Sequence, residues 1–387
     1  MNQVSSTIQP AKTADATLEN PAWKIRVVNS VEGFSGLRNS WDRLLHQSGH
    51  ATVFNSWEWQ YHWWKHYGNS HQLRILVVES DTEVVGIAPF YMRRFRPLGL
   101  FSISILQLIG TGGDTSPDYL DLLCSAEHEV PMARRLSAYI LEDWPEWDVA
   151  HWSDMPEASL LYAEFSKQAQ VNFSLELGIS SHISQIELPD NWDRFIESAT
   201  TKKRNKIRNR WCRMETEVKG SFFVWQDGDT LDRALHTLVE LHHKRWDGRV
   251  NQCAFSSNAY IAFHRDIMHS FHARNWLRLF CLAVGDQIIA MDYCYQFNGT
   301  VMQFQRGFDS EYGDYSPGFV LMCHSFQEAI KEGNSLFDFL KGDYAHKKEF
   351  ETCSTTTRYL NCYRRNGPAE SYRFLEQVRK GLRSLLK

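Results

Sequence analysis

One stretch of this chain occurs twice, and that repeat limits the folds open to it. Residues 73–91 read LRILVVESDTEVVGIAPFY, and residues 277–295 read LRLFCLAVGDQIIAMDYCY. The two superpose without a gap. Leu73 falls on Leu277, Arg74 on Arg278, Val84-Val85 on Ile288-Ile289 and Tyr91 on Tyr295. Each copy is an apolar, β-branched run, a polar turn (Ser80-Asp81 or Gly285-Asp286) and a second run, which predicts a β-hairpin. A separation of about 200 residues is far beyond the roughly 20–50-residue period of a solenoid. It predicts a duplicated domain instead.

The flanking segments also correspond. SWEWQYHWWKHYG precedes the first hairpin; LHTLVELHHKRW and a helical pattern over 260–271 precede the second. After the first come strands ISILQLIG and YLDLLC and a helix over about 130–141. After the second come the strand TVMQFQRGF, a loop, and a helix with clear boundaries. Ser316 suits its N-cap, Pro317 its first turn and Gly333 the position past its end. Phe319, Met322, Cys323, Phe326 and Ile330 give that helix one apolar face. A strand at 336–340, the turn Lys341-Gly342-Asp343, a strand at about 357–363 and a basic amphipathic helix at about 368–387 close the chain. This mixed order predicts an α/β (α+β) fold. The expected divisions are a mobile tail at 1–21, domains at 22–180 and 181–366, and the terminal helix at 367–387.

Composition excludes several classes. Hydrophobic residues at 43 % and charged residues at 23 % argue against disorder. A net charge of −4 argues against DNA binding by the whole chain. No two of the eight cysteines form CxxC, so they read as reduced and buried, and no metal site is expected. The N-terminus lacks a leader pattern and no run approaches a membrane span, which predicts a cytoplasmic protein. Fourteen tryptophans, several within 57–64, read as core, with a glycan groove as the alternative. Gly110-Thr111-Gly112-Gly113-Asp114 lacks the Lys-Ser/Thr of a phosphate loop and reads as an ordinary loop.

Three segments carry candidate chemistry. In EYGDYSPG (311–318) the helix start presents unpaired N–H groups at the C-terminal end of a strand, and Gly318 lets a ligand approach the backbone. That suits a phosphate or pyrophosphate, though an ordinary capped helix reads the same way. In FDFLKGDYAHKKEF (337–350), Asp338 and Lys341 point to opposite faces if the strand stays regular. Asp343, His346, Lys347 and Lys348 crowd its exit, where they can bind phosphate, take a proton or simply be solvated. In TKKRNKIRNRWCRM (201–214), seven cations surround a thin Ile207–Trp211 stripe. This is either a solvated basic helix or an attractor for CoA phosphates, an anionic glycan or tRNA. The C-terminal helix either docks on its own domain or lies on a membrane.

In their order, FNSWEWQYHWWKHYG with its hairpin, DTSPDYLDLLC, KKRNKIRNRWCRME with LHHKRW, and DYSPGFVLM…FDFLKGDYAHKKEF resemble bacterial acetyltransferases of the cellulose-biosynthesis CelD type. That family is similar in fold to the FemAB-type aminoacyl transferases. The resemblance spans about residues 35–360. It implies two tandem GNAT-like domains, each a mixed, mostly antiparallel sheet flanked by helices. It further implies an acyl-CoA donor, such as acetyl-CoA, with its pyrophosphate at Tyr315, Ser316, Pro317 and Gly318, and an amine or hydroxyl acceptor on a small molecule or glycan. The family's closing motif usually places Tyr before the Lys; here His346 precedes Lys347, and Tyr344 stands two residues earlier. Position after adjacent strands makes Asp338, Asp343 and Asp292 the candidate bases. Tyr344 or His346 is the candidate donor of a proton to the leaving thiolate, and Arg306, Lys341 and Lys347 are further cofactor contacts. Only the second half is expected to bind the donor. An aminoacyl transferase using charged tRNA and a non-catalytic polysaccharide-assembly protein are the rival readings.

Overall fold

A computed structural model describes residues 23–81, 83–169, 172–245, 254–342, 344–365 and 367–385. The expected tail, Asp343 and the side chain of His346 lie outside the described residues. The elements run β1 (Lys24–Val28), α1 (Val31–Gly36), α2 (Arg38–Gln47), α3 (Trp57–Tyr67), β2 (Gln72–Glu79), β3 (Val84–Phe95), β4 (Ile103–Leu108), β5 (Leu123–Cys124), α4 (Glu129–Ala138), β6 (Val149–Pro156) and α5 (Leu160–Gln168). They continue through β7 (Phe173–Glu187), α6 (Trp192–Ser198), α7 (Thr201–Glu217), β8 (Gly220–Val224), α8 (Leu231–Arg245), α9 (Asn258–Ala273), β9 (Leu277–Val284) and β10 (Gln287–Phe297). The last are β11 (Thr300–Phe308), α10 (Pro317–Lys331), β12 (Leu336–Lys341), α11 (Ala345–Lys348), β13 (Cys353–Arg364) and α12 (Pro368–Leu385).

Both repeat copies form the expected antiparallel hairpins, β2–β3 and β9–β10. The described strands join one sheet in the order β1-β2-β3-β4-β6-β13-β7-β12-β11-β10-β9-β8, with β5 beside β3. Read inward from either edge, pairing is antiparallel until β4–β6 and β11–β12, which are parallel. The duplication is thus visible in the topology. The halves also exchange strands at the centre. The long β7 pairs with β12, and β13, the final strand, pairs with both β6 and β7. The expected division at 180/181 falls within β7.

The tryptophan-rich segment is core. Trp59 and Trp63 are buried, and the Trp59 ring sits edge-on to Phe263 of α9 at 5.0 Å and to Tyr295 of β10 at 6.0 Å. That aromatic contact fastens α3 of the first half to the second half. Lys65 and His66, both 2.7 Å from Asp266, seal its rim. A separate apolar cluster lies under α10, built from Val301, Phe337, Phe339, Val320 and Phe326 among others. Five of the seven described cysteines are buried and free, as expected; Cys212 is exposed. One expected element fails. YLDLLC gives a strand only at Leu123–Cys124, because Ser116 and Tyr119 take left-handed backbone conformations that break an extended run. Among the described residues no helix is long and apolar enough to cross a membrane.

Candidate active site

The site begins where two parallel strands part. β11 and β12 pair only from Thr300↔Leu336 to Met302↔Asp338. Beyond that point, among the described residues, β11 continues with no strand on its β12 side. There it carries a β-bulge: Tyr293 faces Gln305 and Cys294 faces Gln303, which leaves Phe304 without a partner in the register. A bulge of this kind frees backbone groups and re-aims side chains. The opening holds a cavity of about 150 Å³, whose polar lining includes His242, Arg245, Gln305, Lys341, Tyr344 and Lys347. Burial pushes His242 down to about 4, so it is a neutral imidazole at physiological pH.

Asp338 sits at the apex of the opening. Its buried carboxylate accepts hydrogen bonds from Tyr119 Oη at 2.8 Å, Gln185 Nε2 at 2.7 Å and the Leu340 N–H at 2.6 Å. Burial raises its pKa against these three bonds. It also lines a second cavity, about 510 Å³, between the two halves. Tyr119, Glu157, Gln185, Asn298 and Thr355 are among its lining residues. Asp338 therefore lines a larger groove of mixed polar and apolar character, while its neighbour Phe339 lines the small cation-lined opening.

The strand does not stay regular after Asp338. Leu340 takes φ 53, and the β12–β7 register shifts between Asp338 and Lys341. Lys341 consequently turns toward the first half. Its Nζ lies 3.2 Å from Asp154 and 3.7 Å from Asp118 and donates to the Pro117 carbonyl at 3.3 Å. Burial pushes Asp118 up to about 7, with Lys341 opposing. Lys347 donates to the carbonyls of Phe339, Leu340 and Lys341 at 2.8, 3.1 and 2.9 Å, so all three of its N–H groups tie down the irregular end of β12. Burial lowers it to about 8.

The second feature is the start of α10. Pro317 occupies its first turn as expected, and no acidic residue lies there. Ser316 differs from expectation. It takes φ 54 and its side chain makes no capping bond, because the left-handed backbone turns the hydroxyl away from the first turn. A Cβ added at Gly318 would lie 3.3 Å from Phe308 and 3.6 Å from Arg306, so glycine lets the helix start pack closely on β11. α7 runs alongside. The hydroxyl of Thr200 caps its N-terminus by accepting from Lys203 N–H. Arg210 and Arg213 donate to the Asp314 carbonyl at 2.9 and 3.4 Å, Arg213 lies over the Tyr315 ring, and Lys206 lies over Phe319. At spacings of three or four, Lys206, Arg210 and Arg213 form a stripe beside the helix start, in which Lys206 is paired with Glu349 at 2.8 Å and Arg213 with Glu217 at 3.1 Å.

Four expected site residues are placed otherwise. Asp292 is fully buried; Arg306 forms a two-bond ion pair with it, and Gln303 and Ser325 donate at 3.0 and 3.1 Å. No oxygen is left to take a substrate proton. The bulge at Phe304 explains this, since it puts Gln303 and Arg306 on the same face, toward α10. Arg306 is thereby held as Asp292's partner rather than as a donor to phosphate, and Lys341 and Lys347 are engaged as described. Of the other expected residues, Tyr344 lines the opening, Asp338 ends the β11–β12 pairing at its apex, and Gly318 packs on Phe308 and Arg306 of β11. Sequence reasoning missed Asp118, Tyr119, Gln185, His242 and Arg245. Two of the segments that carry the family resemblance hold four of them, DTSPDYLDLLC with Asp118 and Tyr119 and LHHKRW with His242 and Arg245; Gln185 had no signal. No group of three or more His, Cys, Asp or Glu able to hold a metal ion occurs among the described residues.

Residues 201–348 match the sequence family described as an acetyltransferase (GNAT) domain, which covers the basic helix, β11, α10, β12 and Lys347. Solved structures share the whole architecture at low identity. FemX superposes with a TM-score of 0.58 at 12 % identity, over 89 % of this chain and 98 % of its own. A conserved protein of unknown function from Bacteroides thetaiotaomicron gives 0.52 at 13 %, over 88 % and 100 %. At these identities the likeness is one of fold. No curated protein sequence matches the chain at a significant level.

Proposed function

We propose that this chain is an acyl-CoA-dependent N- or O-acyltransferase of the CelD type, acting on a sugar or exopolysaccharide precursor. The observation that carries this reading is the cation-lined opening between β11 and β12, followed directly by a helix N-terminus flanked by the α7 stripe. A helix N-terminus and nearby cations favour a pyrophosphate, and Gly318, Ser316, Arg210 and Arg213 are the residues that would hold it. The opening has room for a short acyl group. The groove that Asp338 lines falls in the size range of small-molecule sites, and its Glu157, Gln185, Asn298 and Thr355 offer partners to a hydroxylated acceptor.

A bound thioester is already activated, so the chain has three tasks: positioning, polarising the acyl carbonyl and moving a proton. The backbone freed at the Phe304 bulge supplies an N–H for polarisation. Asp338, with its raised pKa, takes the proton from the attacking amine or hydroxyl. Tyr344, half exposed at the mouth of the opening, supplies one to the departing thiolate.

Thermal unfolding with and without acetyl-CoA tests the reading. At about 100-fold above its dissociation constant the donor adds about 2.7 kcal/mol of stability. Gly318→Asp places a carboxylate at the helix start, which favours the helix but repels a pyrophosphate. It should abolish the acetyl-CoA shift; its Cβ also crowds Phe308, so the unliganded midpoint is expected to fall and the readout is the difference between the variant with and without acetyl-CoA. No shift with acetyl-CoA or longer acyl-CoAs would remove the proposal.

The α7 stripe and the FemX-like fold favour a second reading, aminoacyl transfer from charged tRNA. Salt-sensitive tRNA binding, lost on replacing Lys206 and Arg210 with Gln, would support it. A chain that binds neither donor would be the non-catalytic assembly protein.

A further inference from the structure

Among the described residues the three most exposed large apolar side chains are Leu98 at 82 %, Leu100 at 71 % and Phe374 at 66 %. A lone exposed leucine needs no explanation, but these three belong to one face. Leu98 and Leu100 occupy the turn between β3 and β4, and Phe374 lies on α12. The Phe95 ring, just before that turn, meets Tyr372 of α12 edge-on at 6.1 Å. Phe95, Phe101 and Tyr372 all pack on one small cluster of Ile103, Ile105, Val149, Tyr363 and Ala369. The turn and the helix are therefore neighbours.

Each presents its apolar groups outward. In the turn, Pro97 is buried as an anchor, and Leu98 takes a left-handed φ of 51 that turns its side chain away from the cluster. In α12, Ala369 and Tyr372 face the sheet and Arg373 is tied to Glu176 at 3.2 Å. Phe374 and Val378, one turn apart, fall on the opposite side and stay exposed. The sequence continues their spacing with Leu382 and Leu385.

The charge here runs against that of the chain. The whole protein carries −4, yet 93–101 reads RRFRPLGLF, with three arginines and no acid. Arg94 and Arg96 are exposed. From Ser371 to the C-terminus there are five basic residues (Arg373, Arg379, Lys380, Arg383, Lys387) and one acid. That acid, Glu376, lies 3.5 Å from Arg379. Apolar side chains projecting between cations, on a turn and on an adjoining amphipathic helix, are complementary to an anionic bilayer surface: leucine and phenylalanine enter the headgroup–acyl boundary while arginine stays with lipid phosphates.

We propose that this face, formed by the β3–β4 turn and α12, docks the protein on an anionic lipid bilayer. Leu98, Leu100, Phe374 and Val378 insert, and Arg94, Arg96 and Arg379 contact the headgroups. The proposal is independent of the reaction the protein performs.

Co-sedimentation of the full chain with vesicles of phosphatidylglycerol–phosphatidylcholine, and of phosphatidylcholine alone, tests it. Wild type should partition onto the anionic vesicles only, and lose binding as NaCl rises well above about 0.1 M, where the screening length is already about 10 Å. Leu98→Asp/Leu100→Asp should lower partitioning by about ten-fold or more. Arg94→Gln/Arg96→Gln should lower it by a factor of about five per arginine. All four positions are exposed, so unfolding midpoints should match wild type; Leu98→Ser/Leu100→Ser is the milder pair if they do not. Absence of binding, or equal binding to both vesicle types, overturns the proposal. So does a lipid-free dimer that Leu98→Asp/Leu100→Asp converts to monomer without wild-type vesicle binding, which would assign the face to a second copy of the chain.

Discussion

The sheet opens twice, once between β4 and β6 and once between β11 and β12, and the two openings hold opposite chemistry. In the second half the gap is lined by Arg245, Lys347 and the stem of Lys341, whose Nζ reaches across to Asp154 and Pro117 of the first half, and the helix that follows starts Pro317-Gly318 with no acid in its first turn. In the first half the corresponding cavity, about 300 Å³, is lined by Gln107, Thr111, Gly112, Gly113, His151 and Asp154 among others, with no cation. Its next helix, α4, begins with Glu129. The loop over the first opening instead delivers Asp118 and Tyr119 to the second half, where they meet Lys341 and Asp338. Duplication supplied two equal frames. Charge at the strand ends distinguishes them: one opening is lined by cations, and the loop over the other supports its partner's apex residue.

The largest effect expected concerns the floor of the second opening. By the repeat alignment, Ala88 stands in the first half where Asp292 stands in the second. Arg306→Leu alone should cost about 3–5 kcal/mol, because it strands a buried carboxylate. Asp292→Ala/Arg306→Leu, which makes the second half apolar like the first, should recover most of that in denaturant unfolding. If the double variant is as unstable as the single one, the pair does more than satisfy itself.

Next in size is the apex. Asp338→Asn should slow acyl transfer by about 100-fold or more while leaving acetyl-CoA binding intact. Turnover within a few-fold of wild type would remove Asp338 from the proton's path. Asp118 should then show in the pH dependence of stability. The unfolded chain releases that proton near pH 4, whereas the folded chain holds it to about 7. The stability it contributes is therefore full below about pH 4 and lost as pH rises to about 7. Asp118→Asn should flatten the fall in unfolding free energy across that range; an unchanged slope would mean that the carboxyl is not held neutral. The smallest effect is a null one. Calorimetric titration should find one acetyl-CoA per chain, and Glu129→Gln should not add a second. Two equivalents in wild type would break the contrast between the openings.

Much of the fold was legible in the chain, for local reasons. Period-two apolar runs around Ser80-Asp81 and Gly285-Asp286 specify hairpins wherever they occur. Ser-Pro-Gly and Gly333 bracket α10 through backbone preferences that need no distant partner. The tryptophans of α3 announced a core. The site was less legible. Asp292 and Asp338 look alike in sequence, since each is an acid in an apolar strand. A one-residue bulge at Phe304 buries the first against Arg306, and the left-handed Leu340 leaves the second lining the larger groove. Neither irregularity has a glycine to advertise it. Asp118 and Gln185 reach Lys341 and Asp338 only because β7 and β13 interleave the halves.

By itself, then, the sequence determined the duplicated hairpins, the mixed helix–strand order, the bounds of α10 and the basic α7, because periodicity, turn chemistry and helix-end preferences act within a few residues. Only the tertiary structure decided which acid faces substrate space, which lysines are tied to carbonyls and carboxylates, and which apolar side chains stay outside. Those outcomes depend on register shifts and on groups as much as about 220 residues apart, such as Tyr119 and Asp338, whose burial and pairing exist only once the sheet has closed around them.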